Sequence, residues 1–193
     1  MTTSTHGKLL RLRTDVRGED LTDEGLVAAC ATGDRAARAL LFERHVDAVH
    51  RFISRMRSSD AASVDDLVQN TFLTAFRVAA KCTTANVRAW LFGIAANLVR
   101  TYARGEIRRK TALRAAAELT VESAAPPDPA VVARLPAAID GLSHDLRAVF
   151  VLVDLEGERG SDAAAALGIP EGTLWRRVFH ARRALRAALG GER

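Results

Sequence analysis

The sequence predicts an all-α protein of two small helical domains joined by a proline-rich linker. Alanine, leucine and arginine, which are all good helix formers, dominate the 193-residue chain, and β-branched runs are scarce. Apolar residues recur at spacings of three and four, as they do along one face of a helix. Pro126, Pro127, Pro129 and Pro136 interrupt that pattern and favour extended backbone between the two helical parts.

These patterns divide the chain into four segments. Residues 1–20 are rich in charge and lack a sustained apolar period, so they are predicted to form a mobile tail. Residues 21–115 are predicted to form a first helical domain, residues 116–136 the linker, and residues 137–189 a second helical domain.

The first domain is predicted to begin with a short helix that is capped at Thr22 or Asp23 and ends near Gly33. Asp34 is predicted to cap a longer second helix, because Asp is a favoured N-cap residue. The apolar stripe of this second helix is predicted to comprise Phe42, Val46, Val49, Ile53 and Met56.

A third helix is predicted to start at Ser63, which is followed three residues later by Asp66 in a capping-box-like arrangement. Its buried stripe would comprise Val68, Phe72, Ala75 and Phe76. The opposite face would carry Asp65, Asp66, Gln69 and Asn70. A fourth helix would direct Val87, Leu91, Ile94 and Leu98 inward, which completes a compact bundle.

The fourth helix also carries a basic cluster of Arg100, Arg104, Arg108, Arg109, Lys110 and Arg114, with the aromatic residues Trp90, Phe92 and Tyr102 before or among them. Cationic and aromatic groups together suit unpaired nucleic acid, because every base offers a face for stacking. An ordinary core position for Trp90 and Phe92 remains an alternative.

The second domain has the pattern of a helix-turn-helix. Ser143 can cap an apolar helix that closes at Gly157, a short helix ends at Gly168, and Pro170 starts an arginine-bearing helix. That last helix would bury Leu174, Val178, Ala181 and Leu185. Its N-terminal residues would meet base edges in the major groove, and its distal arginines would neutralise phosphates. A merely solvated basic face is the alternative.

Composition restricts the function further. A net charge of +5 and a pI near 10.0 suit a polyanionic partner. Cys30 and Cys82 are far apart and predict free thiols in a reducing compartment, and no apolar run reaches the length of a membrane span. The chain is therefore expected to be cytoplasmic and not inserted in a membrane.

Neither catalysis nor a bound metal or cofactor is expected. His45 and His50 are five residues apart, which is not a metal-binding spacing, and no glycine loop suited to phosphate is present. Ser143, His144 and Asp145 are adjacent, so they are predicted to form a cap and first turn rather than a catalytic triad.

Three segments in order, with the proline-rich linker between the second and third, resemble the extracytoplasmic-function group of bacterial RNA polymerase sigma factors in the sigma-70 family. "DDLVQNTFLTAFR" is similar to the polymerase-binding helix of that group. "RAWLFGIAANLVRTYAR" is similar to the helix that engages the downstream (minus-10) promoter element. "LEGERGSDAAAALGIPEGTLWRRVFHARRALR" is similar to the region that reads the upstream (minus-35) element.

The resemblance implies a sigma region 2 bundle at 21–115 and a sigma region 4 helix-turn-helix at 137–189 that together direct promoter recognition, DNA melting and transcription initiation. Core RNA polymerase would be bound through its largest-subunit coiled coil and its flap region. The residues implied in docking on the coiled coil are Asp65, Asp66, Gln69, Asn70 and Phe72.

The resemblance also implies two DNA contacts and a protein regulator. The loop at 81–86 would hold a flipped base of the melted non-template strand, and the downstream element would be contacted by Arg88, Asn97, Arg100 and Arg104. The duplex upstream element would be contacted by Glu171, Thr173, Trp175, Arg176, Arg177, His180 and Arg183. An anti-sigma factor is an expected partner.

The chain departs from the family pattern in the upstream reader. Where the family usually has Leu-Ser-Tyr and then an Ile, this sequence has Glu158, Arg159, Gly160 and Ala163. The usual Lys-Ser pair of the recognition helix is Trp175 and Arg176, and Trp175 cannot make a lysine's phosphate contact. The promoter sequence that is recognised therefore does not follow from the resemblance.

Two other classes of function are open on the residues alone. A self-sufficient DNA-binding repressor or activator would account for residues 173–186, but it leaves the polar face at 65–70 without a purpose. Tight duplex binding without polymerase would indicate it. A helical adaptor that acts only through protein contacts leaves both basic clusters unexplained, and salt-insensitive interactions would favour it.

Overall fold

A computed structural model describes residues 21–57, 61–116 and 131–190 of the chain. Those ranges contain eight α-helices and no strand, which confirms the predicted all-α class. The predicted tail at 1–20 and residues 117–130 of the predicted linker lie outside the described residues. Within the described ranges, no helix combines the length and the apolar character needed to cross a membrane.

Helices α1–α4 form an N-terminal bundle. They span Asp23–Ala31, Arg35–Met56, Ala61–Val78 and Val87–Ala116, and a short 3-10 turn at Ala79–Lys81 follows α3. The predicted caps of the first two helices are confirmed. Thr22 Oγ1 accepts a hydrogen bond from the Gly25 N–H at 3.3 Å, and one carboxylate oxygen of Asp34 accepts from two backbone N–H groups at 2.8 and 3.1 Å.

The buried face of α2 differs from the predicted stripe. Val49, Ile53 and Met56 are buried as predicted, whereas Phe42 is 40% exposed and Val46 is half-buried. The face is completed instead by Leu41, His45 and Phe52. The reason is that α2 packs against three helices, α1, α3 and α4, so its buried face is set by these contacts and not by its own apolar stripe alone.

The predicted cap at Ser63 is wrong. Helix α3 begins at Ala61, and Ser63 lies inside it with 4% of its surface exposed. Ser63 and Val64 are both buried, so Ser63 belongs to the packed face of the helix and does not serve as its N-cap. The remainder of the predicted stripe is confirmed, since Val68, Phe72 and Ala75 are buried and Phe76 packs on the same core.

Helices α5–α8 form the C-terminal domain. They span Val131–Asp140, His144–Phe150, Gly160–Leu167 and Glu171–Ala188. A π-helical turn at Val151–Leu155 continues α6, and the Glu156 N–H donates to the Val151 carbonyl five residues back at 2.8 Å. Gly168, with φ +64°, ends α7, and the turn after it leads into α8 as the helix-turn-helix pattern predicts.

The linker was predicted to extend to residue 136, but α5 begins at Val131 and contains Pro136. Proline removes only one backbone hydrogen bond in this second turn of the helix, and its ring lies on the exposed side. Ile139, Leu142 and Leu185 form a small core with Ala181 of α8. Packing of the end of α5 on α8 therefore outweighs the local preference of proline.

The two domains share one hydrophobic core, in which α7 lies directly on α4. A Cβ built on Gly93 of α4 would lie 2.8 Å from the carbonyl carbon of Ala166 in α7, so only glycine permits this approach. The guanidinium of Arg147 in α6 donates to the Met56 carbonyl at the end of α2, at 2.8 Å. The contact between domains thus involves backbone as well as side chains.

A second close approach lies inside the C-terminal domain. A Cβ on Gly160 would meet the indole ring of Trp175 at 2.5 Å, because the ring lies against the start of α7. The departures from the family pattern at these two positions therefore fit one another, since the absent side chain leaves room for the larger one.

We expect Gly160→Ala to destabilise the protein by about 1–3 kcal/mol, because the added methyl group displaces the Trp175 ring. Replacing Trp175 with Ser in the same chain removes the clash. Chemical denaturation of the wild type, both single variants and the double variant forms a complete cycle. Additive single effects in that cycle would contradict the proposed contact.

His144, at the start of α6, predicts a pH-dependent stability. Burial lowers the pKa of its imidazole to about 4, the nearby Arg100 and Arg147 act in the same direction, and Asp145 and a hydrogen bond with the Ala96 backbone oppose it. The unfolded chain binds a proton near pH 6.5, which the folded chain resists until about pH 4.

We therefore expect the free energy of unfolding to fall as the pH is lowered from 6.5 towards 4, by up to about 1.4 kcal/mol per pH unit from this group. His144→Asn should flatten that part of the profile, whereas His180→Asn is the control for loss of an exposed imidazole. Urea unfolding at several pH values measures the difference, and parallel profiles for wild type and His144→Asn would contradict the assignment.

Candidate nucleic-acid interface

The polar face of α3 is presented to solvent as one patch. Asp65, Asp66, Gln69 and Asn70 are all exposed, while the opposite face of the helix is buried. An Asp65 carboxylate oxygen lies 3.6 Å from Nε2 of His50 on α2. We call these four residues the α3 polar face.

Phe72 does not belong to this surface, contrary to the prediction. It is 2% exposed, and its ring meets the ring of Phe42 edge-on with 4.8 Å between centroids. Phe72 is a large apolar side chain on the buried face of α3, and it stabilises the packing of that helix on the core. Leu73, which the sequence analysis missed, is 50% exposed and lies one turn beyond Gln69. Its spacing of four from Gln69 and three from Asn70 was the available signal.

The loop at 82–86 leads into α4 through a local cap. Asn86 Oδ1 accepts from the Ala89 N–H at 3.0 Å, and Thr84 Oγ1 accepts from the Asn86 N–H at 3.1 Å. Beside the loop is a cavity of about 160 Å³, lined by Lys81, Thr83, Thr84, Asn86, Ala89, Trp90, Asp162, Ala165 and Ala166. The last three belong to α7, so the C-terminal domain forms one wall of this cavity.

Arg88, one of the predicted DNA contacts, is bound by the C-terminal domain. Its Nε donates to Glu158 Oε1 at 2.7 Å and its Nη2 donates to the Glu156 carbonyl at 3.0 Å. The Asn86 amide donates to Glu158 Oε2 at 2.8 Å and to Asp162 Oδ2 at 2.9 Å. The side chain of Glu158 is only 3% exposed.

Arg100 is engaged in the same way, through Asp145 in the first turn of α6. Its Nη2 lies 2.6 Å from Asp145 Oδ1, and Arg177 Nη2 lies 3.0 Å from the second oxygen of that carboxylate. Asn97 and Arg104 remain exposed. The four predicted downstream contacts are therefore divided into two that are free of the C-terminal domain and two that are paired with it.

A third basic group, Arg51 and Arg55 of α2, was missed in the sequence analysis. Both approach Glu156, whose side chain is 2% exposed, with Arg55 Nη1 at 2.5 Å and Arg51 Nη2 at 3.4 Å from its oxygens. The spacing of four between the arginines was the sequence signal, but nothing in the local sequence indicates a partner about a hundred residues away.

Helix α8 presents a mixed basic and aromatic surface. Leu174, Val178, Ala181 and Leu185 are buried as predicted. Of the predicted upstream contacts, Thr173 and Arg177 are half-buried, and those that are exposed are Glu171, Trp175, Arg176, His180 and Arg183. Trp175 Nε1 donates to Glu171 Oε1 at 3.2 Å. Phe179, absent from the predicted set, is 60% exposed beside His180.

No group of three or more His, Cys, Asp or Glu side chains is arranged to hold a metal ion among the described residues. Cys30 is buried and Cys82 is half-buried, and both are free thiols. Burial raises the pKa of each thiol above its ordinary value.

Two regions of the chain match known families. Residues 41–109 match Sigma-70 region 2, and residues 133–185 match Sigma-70, region 4. The ECF RNA polymerase sigma factor SigE of Mycolicibacterium smegmatis is 33% identical over 81% of this chain and 64% of its own length. The ECF RNA polymerase sigma factor SigM of Mycobacterium tuberculosis is 32% identical over 88% of this chain and 85% of its own length. The chain thus spans less than two thirds of the SigE relative.

Two solved structures share the fold. CnrH, solved in complex with the cytosolic domain of CnrY, has a TM-score of 0.64 and 26% identity over 90% of this chain and all of its own. The sigma factor RpoE of Bartonella quintana, solved with the anti-sigma factor NepR, has a TM-score of 0.59 and 26% identity over 80% of this chain and 98% of its own. The chain therefore belongs to the extracytoplasmic-function RNA polymerase sigma factors of the sigma-70 family, the proteins that serve transcription initiation.

Proposed function

We propose that this sigma factor binds core RNA polymerase through the α3 polar face and Leu73, and positions it on promoters through α4 and α8. The observation that carries the proposal is the α3 polar face itself. Four polar side chains lie together in solvent on a helix whose other side is in the core. Leu73 supplies the apolar anchor that such interfaces usually contain.

The α3 polar face separates this proposal from a self-sufficient DNA-binding protein. A repressor would need α8 and its exposed Arg176 and Arg183, but it would have no use for a second polar interface on another domain. Two DNA-binding elements in one chain also favour binding at two places on one polymer, which strengthens the whole beyond either part.

In the downstream contact, Asn97 and Arg104 lie exposed on α4, and Arg88 and Arg100 lie on the same helix. The loop at 82–86 and its cavity would receive a base of the melted non-template strand. Extruding a base costs a few kcal/mol of stacking and pairing energy. Hydrogen bonds to polar groups such as Asn86 and contact with an aromatic wall such as Trp90 would offset that cost.

In the upstream contact, the first turns of α8 would enter the major groove of duplex DNA. Arg176 is exposed and carries no salt bridge within the described part of the chain, so it is available to contact a guanine. Trp175 is fixed by Gly160 and Glu171 and offers a flat apolar edge suited to a thymine methyl group.

The proposed role requires no catalysis by the chain itself and places it in the cytoplasm, with the polymerase and the genome. We also propose an anti-sigma factor as its regulator. CnrH and the Bartonella RpoE, which share this fold, were solved with CnrY and with the anti-sigma factor NepR respectively, and that supports a protein inhibitor here.

Replacing Asp66 and Gln69 together with Ala is expected to weaken association with core RNA polymerase at least about tenfold, or about 1.4 kcal/mol, because two exposed partners of the complex are lost. Fluorescence titration of labelled protein with core polymerase measures the change. The fold should be retained, since both residues are exposed.

Glu24→Ala, which removes an exposed carboxylate from α1, is the matched control and should bind core polymerase as the wild type does. Unchanged affinity of the double variant would remove the α3 polar face from the proposed interface.

Arg176→Ala is expected to weaken binding to promoters that keep the upstream element by about 1–3 kcal/mol, because a base contact is lost. Transcription from those promoters should fall accordingly. Run-off transcription with core polymerase measures it. Arg35→Ala, an equal loss of charge on α2, should have little effect. An equal reduction by Arg176→Ala on a promoter that lacks the upstream element would show that Arg176 does not read it.

A further inference from the structure

Carboxylates of the C-terminal domain pair with arginines of the N-terminal bundle, and two of these arginines, Arg88 and Arg100, are proposed downstream DNA contacts. Glu158 pairs with Arg88, Asp145 with Arg100, and Glu156 with Arg51 and Arg55. Of the arginines proposed to contact downstream DNA, Arg88 and Arg100 already bind an oxyanion of the same chain, whereas Arg104 is exposed.

The segment between α6 and α7 supplies most of these groups. Glu156, Glu158 and Asp162 lie within seven residues, and together they contact α2, the loop at 82–86 and the first turn of α4. We call residues 156–162 the acidic segment. Where the resembling family usually has Leu, this chain has Glu158, so the charge is particular to this sequence.

Burial makes these carboxylates dependent on their partners. The side chains of Glu156 and Glu158 are 2% and 3% exposed. A carboxylate that has lost its water is destabilised severely unless cations and hydrogen-bond donors replace that water. Glu158 is held by Arg88 Nε and the Asn86 amide, and Glu156 by Arg55, so both oxygens of Glu158 are satisfied by the N-terminal bundle.

Packing of α7 closes the same face sterically. Asp162, Ala165 and Ala166 form one wall of the cavity beside the loop at 82–86, and Asp162 binds the Asn86 amide that faces it. The glycine contact between Gly93 and Ala166 brings the two helices together backbone to backbone. Helix α7 therefore narrows the access to this cavity, and the carboxylate of Asp162 would repel a phosphate.

We propose that the acidic segment is an internal inhibitor, which holds the free protein closed by placing its carboxylates where promoter DNA would place phosphates. The inference rests on the proposed function, because it assigns a regulator to the proposed downstream contact. Opening exchanges the internal carboxylates for the phosphates of a nucleic acid, so the arginines lose no charge partner when DNA is present. Separation of the domains is then coupled to binding.

Two independent variants test the proposal. Glu156→Gln with Glu158→Gln removes the ion pairs, and Gly93→Leu wedges α7 away from α4 without touching a charge. Asp154→Asn is the matched control. It lies just before the acidic segment, and its carboxylate binds Arg182 at 2.6 Å within the C-terminal domain, so the variant removes one carboxylate charge without touching the domain contact.

Small-angle scattering of the full-length protein, without polymerase, should show a larger radius of gyration than the wild type for both opened variants. Asp154→Asn should have the radius of the wild type. Fluorescence anisotropy with a labelled single-stranded 15-nucleotide DNA should show at least about tenfold tighter binding by the opened variants. The apparent DNA affinity equals the affinity of the open form multiplied by the fraction of molecules that are open, so a mostly closed protein binds weakly. Circular dichroism checks that each variant keeps its helical content.

An unchanged radius in both opened variants would overturn the closed arrangement. A larger radius with unchanged DNA affinity would overturn the inhibitory role. Association of the wild type with core polymerase is a separate measurement. If the wild type does not associate with core polymerase, the proposed function is contradicted. Opened variants that gain DNA affinity would still support the internal inhibitor as a property of the isolated chain.

Discussion

Two carboxylates that are almost completely removed from water, those of Glu156 and Glu158, fix the arrangement of the two helical domains. Arg55, Arg88 and the Asn86 amide, which all come from the other domain, compensate these carboxylates for the loss of water. The apolar core that runs across the boundary gives most of the cohesion, whereas these polar contacts select one orientation. The position of α7 on α4 depends on that selection.

Local pattern was sufficient to predict several helix faces and two helix caps. The buried positions of α8, the polar face of α3 and the caps at Thr22 and Asp34 follow directly from the sequence. The pattern failed on α2, whose buried face includes Leu41, His45 and Phe52 and leaves Phe42 exposed. Pro136 predicted that the linker continues to residue 136, but tertiary packing keeps α5 helical through this proline.

The candidate site was predicted in part for the same reason. Residues at the surface of a single helix, such as Asp66 and Arg176, are readable from spacing. The pairing of Arg88 with Glu158 spans seventy residues of sequence and leaves no periodic trace. Glu158 was visible only as an acidic residue in a place where the family has an apolar one, and only the structure gives that substitution a partner.

The π-helical turn at Val151–Leu155 has a consequence for how such a protein can change over evolutionary time. A π-helical turn contains one residue more than the α-helical path it replaces, and each residue of an α-helix advances the chain by about 100° around the axis. Loss of a single codon in this turn would therefore rotate everything after it and carry the acidic side chains off the arginines. One insertion or deletion could therefore create or abolish the internal inhibition during evolution, without any change in the sequences of the DNA-binding helices.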